Sequence, residues 1–281
     1  MIAQPFVYHA PTSVAEAIEI LAENPGTSRV IGGGTWVVPE CNRDESRPAA
    51  LVDLRRAGLS GIDVVDGVVC VGATATYSAV MSSPDVARHL PLLAAMASGI
   101  TGGRQIQSQG TVGGSVVAAR PSSDAPAAVA ALDATLVVAG PDGERRVTGT
   151  GMFADASTSC LREGEILTRL EFTVRPAARW GYYKLKRSAS SWPIATAACV
   201  LGEQPRLVLG GVSATPVHVD LGSVLAGRPL TPDTIEEAVR RAADSVSTPW
   251  EDELAPATYR SAVAGPVARR ALEMAAHQEE S

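Results

Sequence analysis

An α+β fold in three parts is predicted by three features of the 281-residue sequence. An amphipathic helix with two short apolar runs fills the first sixty residues. A valine-rich hairpin signal at 62–71 then changes the texture, and three strand-like runs from residue 181 give way to helices. The parts divide as 1–60, 61–176 and 177–281. With 26 Gly and 19 Pro, one long bundle or coiled coil is excluded and many tight turns are expected.

In the first part, Ser13-Val14-Ala15-Glu16 reads as a capping box, and Val14, Ala17, Ile18, Leu21 and Ala22 recur at helical spacing until Asn24-Pro25-Gly26 stops the helix. Val30-Ile31 reads as a buried strand entering Gly32-Gly33-Gly34-Thr35, and Leu51 to Leu54 as another. In the second part, Ile62 to Val65 and Val68 to Val71 flank Asp66-Gly67, the signature of a two-residue hairpin turn. Thr76–Met81 and Leu90–Ala97 are expected helices, 101–124 an irregular Gly, Ser and Gln-rich stretch, and Ala134–Val138 and Arg169–Val174 strands. The third part reads as a meander of Tyr182–Leu185, Ile194–Leu201 and Leu207–Val212. A helix capped by Thr231-Pro232 follows, then a last helix over Pro266–Ala276.

The net charge of −6 supplies no basic face for a nucleic-acid backbone. Cys41, Cys70, Cys160 and Cys199 are too scattered for a zinc knuckle or an iron–sulfur run and read as buried thiols in a reducing compartment. There is no signal-peptide pattern and no apolar run of spanning length, so a cytoplasmic protein without a membrane span is expected. The four histidines have no paired spacing, G-x-S-x-G is absent and no carboxylate pair stands out, so neither a metal site nor a catalytic residue is named.

Gly32-Gly33-Gly34-Thr35 fails as a dinucleotide fingerprint, because Val37 stands where a third glycine is needed and Pro39 is expected to interrupt the following helix. What remains is either a nest of backbone N–H groups for an anion or a tight turn. The second cluster, Gly110-Thr111-Val112-Gly113-Gly114-Ser115, is equally weak alone; two loops in two parts suit an extended cofactor with a central diphosphate. Asp124 reads as an exposed loop carboxylate unless a ribose or ribityl hydroxyl lies near. Lys184 reads as part of a solvated basic face or as an anion or flavin contact.

Read together, Val30 to Pro39, Gln105-Ile106 leading into Gly110 to Ser115, Pro121 to Pro126, Ala131 to Ala134, Gly164 to Leu167, Tyr183-Lys184, Leu209 to Val212 and Tyr259-Arg260 resemble the FAD-binding medium subunit of molybdenum hydroxylases, of the xanthine dehydrogenase and carbon monoxide dehydrogenase type. The resemblance implies a two-part FAD-binding domain of the p-cresol methylhydroxylase type, followed by a small C-terminal α+β domain of antiparallel sheet plus helices. It implies FAD contacts at Ile31, Gly32, Gly33, Gly34, Thr35 and Trp36, at Thr111, Val112, Gly113, Gly114 and Ser115, at Asp124 for hydroxyls, at Leu167 beside the ring system and at Lys184 near the isoalloxazine edge. It also implies an FAD-dependent oxidoreductase taking electrons from an iron–sulfur small subunit and a molybdopterin large subunit and passing them to NAD, oxygen or a quinone. Trp36, Gln107, Gln109, Arg120 and Ser191 depart from the family's usual residues. They leave open a stand-alone flavoenzyme acting on a small molecule and a flavin-free binding or assembly protein on the same fold.

Overall fold

The computed structural model describes residues 4–175, 179–225 and 228–278. β1 (Val7–His9), α1 (Val14–Glu23), β2 (Ser28–Ile31), α2 (Val37–Asn42) and β3 (Ala50–Asp53) build a parallel sheet ordered β1-β3-β2. Ser13 caps α1 by accepting from the Glu16 N–H at 3.1 Å. The return bond lands one residue further out than a capping box predicts, because the Glu16 carboxylate accepts from Thr12 N–H at 2.7 Å. Ala17 and Leu21 pack from this helix onto Val52 and Leu54. Against expectation the glycine loop does continue into a helix: Pro39 sits in the first turn of α2, where its missing N–H breaks no helical bond.

The second part runs through β4 (Ile62–Val65), β5 (Val68–Gly72), α3 (Tyr77–Ser82), α4 (Pro84–His89), α5 (Pro91–Ser98), α6 (Gly103–Gln109), α7 (Val112–Ala118), α8 (Ala125–Ala131), β6 (Thr135–Gly140), β7 (Gly143–Thr148), β8 (Phe153–Asp155), β9 (Thr158–Ser159) and β10 (Ile166–Thr173). Its five-stranded antiparallel sheet is ordered β4-β5-β10-β6-β7. At the β4–β5 turn both Asp66 (φ 49°) and Gly67 (φ 75°) take positive φ, the geometry that Asp-Gly favours and that matches strand twist. The stretch 101–124, expected to be irregular, contains α6 and α7. Thr111 starts α7 by accepting from Gly114 N–H at 3.0 Å. Every residue of α8 is buried, so its alanine-rich sequence carries no polar face by which periodicity would reveal it.

The third part is an antiparallel sheet of β11 (Arg179–Lys186), β12 (Pro193–Leu201), β13 (Arg206–Gly210) and β14 (Val217–Val219), with α9 (Gly222–Leu225), α10 (Pro232–Asp244) and α11 (Ala257–Ala276). All nine residues of β12 are buried because both faces are covered. Ala198 and Val200 join the core of the second part, while Ala197, Cys199 and Leu201 meet α10 and α11. Thr231 and Thr234 cap α10 reciprocally. The last helix begins nine residues earlier than Pro266 implies, with Pro266 inside it.

Tertiary contacts hold that extra length. Arg260 is fully buried; its guanidinium donates to the carbonyls of Ile194 and Gly211 and to the Asp252 carboxylate. Burial pushes the Asp252 carboxyl up, but Arg260, the Leu254 N–H and the Trp250 indole more than offset it, and the group lies below its ordinary 3.8. An acid lowered on folding contributes stability that is complete above 3.8 and is lost as pH falls through the lowered value. Calorimetry across that acid range will therefore show a shallower loss of Tm for Asp252→Asn than for the parent, together with a lower Tm at neutral pH. Equal slopes would exclude this role for the pair.

Candidate functional site

A cavity of about 400 Å³ lies between the first and second parts, where the loop after β2, the start of α7, the loop after β5 and β10 meet. It is lined by Gly32, Gly33, Gly34, Thr35 and Trp36 on one side and by Thr111, Gly113, Gly114 and Ser115 on the other, with Leu167 from β10. The two glycine loops touch. A Cβ at Gly33 would fall inside the Gln109 carbonyl, and one at Gly32 would lie 2.8 Å from the Thr111 hydroxyl. Gly34 turns the chain into α2 at φ 71°, a conformation other residues rarely adopt. Gly32 and Gly33 thus let the two loops seat on each other.

Two observations test whether these residues suit an anionic, hydroxyl-bearing cofactor. Among the described residues, the N–H groups of Gly33, Gly34, Thr35 and Trp36 have no acceptor in the chain. Thr74, also in the lining, has a buried hydroxyl without a partner. A row of free donors and an orphaned hydroxyl suit a pyrophosphate and the groups beside it. Ser115 is less free, because its hydroxyl is bonded to that of the buried Tyr77. At the rim, Glu40 stands between Arg29, at 3.0 Å, and Arg120. Trp36 stacks on Trp192 with ring centroids 4.6 Å apart, and the Arg120 guanidinium lies 4.0 Å over the Trp36 ring.

Four of the expected contact residues are not in the lining. Ile31 and Val112 are buried in the packing behind it. Asp124 and Lys184 are bonded to each other at 2.8 Å, with side chains 3% and 8% exposed, so neither the exposed loop carboxylate nor the solvated basic face is found. Lys184 also donates to the Gly99 carbonyl at 2.8 Å and to Thr101 at 3.3 Å, and Tyr182 donates to Asp124. Burial pushes the Asp124 carboxyl up against the pull of Lys184, and pushes the Lys184 ammonium down against the pull of Asp124. The pair fastens β11 to the linker between α5 and α6 and to the start of α8. Thr74, Arg29 and Glu40 went unnoticed in the sequence because each is a single residue outside any motif.

All four cysteines are unpaired, with Cys41 and Cys199 buried and Cys70 and Cys160 half-buried. Burial pushes the Cys199 thiol up to about 12, so it stays protonated and unreactive. Among the described residues no group of three His, Cys, Asp or Glu side chains stands ready for a metal ion, and no helix is long and apolar enough to cross a membrane.

Residues 4–173 match the FAD binding domain in molybdopterin dehydrogenase, and 180–275 the CO dehydrogenase flavoprotein C-terminal domain. The carbon monoxide dehydrogenase medium chain of Hydrogenophaga pseudoflava is 33% identical, covering 98% of each chain. A xanthine dehydrogenase FAD-binding subunit of Escherichia coli is 29% identical, covering 82% of each. The structure of reconstituted CO dehydrogenase from Oligotropha carboxidovorans superposes with a TM-score of 0.93 at 32% identity, covering 98% of this chain and 99% of the other.

Proposed function

Since the chain belongs to the flavoprotein family of the molybdopterin dehydrogenases, as an FAD-dependent medium subunit of molybdenum hydroxylase type, we propose that it works in a cytoplasmic complex. In that complex it receives electrons through an iron–sulfur small subunit from a molybdopterin large subunit and delivers them to an external acceptor. The observation that carries the placement of FAD is the row of free N–H groups from Gly33 to Trp36, facing Thr111, Gly113, Gly114 and Ser115 across one cavity. In this reading the N–H groups of Gly33 to Trp36 hold the pyrophosphate, Thr111, Gly113, Gly114 and Ser115 close the cavity opposite them, the Thr74 hydroxyl bonds a neighbouring polar group, and Leu167 packs against the ring system. Asp124 and Lys184 act from behind, by fixing the third part against the second. The flavin, once bound, supplies the redox chemistry that no side chain here provides. The division into 1–60, 61–176 and 177–281 follows the same reading, with the first two parts sharing the cofactor.

Affinity purification of the chain from cells that also express its untagged genomic neighbours tests the complex. We expect an iron–sulfur chain and a molybdopterin chain to co-elute, and flavin absorbance to bleach with a reducing substrate only when both are present. Reoxidation by NAD, oxygen or a quinone then identifies the acceptor. A lone chain that turns over a small molecule would overturn the proposal.

A further inference from the structure

Trp36, Arg120 and Trp192 meet at one place in the fold, beside the turn that Ser191 shapes. Trp36 follows the first glycine loop and lines the cavity. Arg120, just after α7, lies over its ring and pairs with Glu40. Ser191 shapes the β11–β12 turn: its hydroxyl accepts from the Arg187 N–H at 3.0 Å and the Ser188 N–H at 3.1 Å. The Ser191 carbonyl accepts from Thr101 at 3.1 Å. That turn delivers Trp192, 39% exposed, onto Trp36 with the rings 29° from parallel. The first, second and third parts of the chain are thereby joined at the rim of the cavity by one stack of indole, indole and guanidinium.

We infer that Trp36, Trp192 and Arg120 form a clasp that governs how fast FAD enters and leaves; the inference rests on the cavity being the FAD site. Trp36 belongs to the cavity wall, and its ring is fixed by groups from the two other parts, so widening the rim requires breaking the stack. The clasp contributes to the barrier for passage rather than to the bound state. Trp192 itself is not part of the lining.

Stopped-flow flavin fluorescence on the full chain, mixed with free FAD and separately diluted from the loaded form, tests this. Loss of the aromatic pair in Trp192→Ala should raise both the uptake and the release rate roughly tenfold, with their ratio unchanged. Trp192→Phe should restore slow exchange, which ties the faster rates to the lost aromatic contact, and an unchanged FAD affinity in the alanine variant shows that it is folded. The parent should show an exciton couplet of coupled indoles in circular dichroism that is lost in both Trp36→Ser and Trp192→Ala. FAD binding with unchanged rates in Trp192→Ala, a change in release alone, or a parent without the couplet overturns the clasp. A parent that fails to take up FAD overturns the cavity assignment as well.

Discussion

Asp124→Asn will lower stability by roughly 3–5 kcal/mol, read as a shift in the urea midpoint. The substitution keeps the shape of the side chain and removes its charge, leaving the Lys184 ammonium, 8% exposed, without a counter-charge. Gly99 and Thr101 still accept from the ammonium, but neither is charged. Lys184→Ala will be comparably destabilising, because it strands the carboxylate instead; a role confined to flavin reactivity would leave stability untouched. The double variant Asp124→Asn with Lys184→Met will regain most of the loss, since two neutral side chains escape the desolvation that burdens each ion. A single variant as stable as the parent, or a double variant no better than the single, would show that the pair carries no such load.

Gly33→Val will release FAD and cost about 1–3 kcal/mol of stability, with the upper end expected because the new atoms meet backbone. The Gln109 carbonyl cannot rotate away as a side chain would, so the two glycine loops must separate. Gly143→Ala provides the contrast. Its φ of 103° strains an added side chain, but nothing lies within 4 Å of the new Cβ and the residue is not part of the cavity lining. That variant will lose stability while retaining flavin absorbance after gel filtration. If Gly33→Val retains flavin to the same extent, the loops do not hold FAD by their mutual seating.

Features whose causes lie within a few residues were legible before the fold was known. Helix α1 shows its cap, its stripe and its stop within one segment, and Asp66-Gly67 carries the positive φ values of its turn in its own chemistry. The segments that escaped are those whose partners are distant. Helices α6 and α7 look like a loop because small and polar residues give no period, yet Val112 and Val116 belong to the second part's core and Gly113 lies against Ala73. The first half of α11 hides behind Pro266 because its anchor, Arg260, reaches carbonyls on β12 and beside β13.

By itself the sequence determined the two glycine clusters and the resemblance that named FAD. Only the tertiary structure decided what those residues do to one another. Gly33 answers to Gln109, Asp124 to Lys184 sixty positions on, and Trp36 to Trp192 in another part of the chain. The reason is physical: backbone conformation is written in neighbouring side chains, whereas the pairing of a buried charge or a stacked ring depends on which surfaces the folded chain brings together.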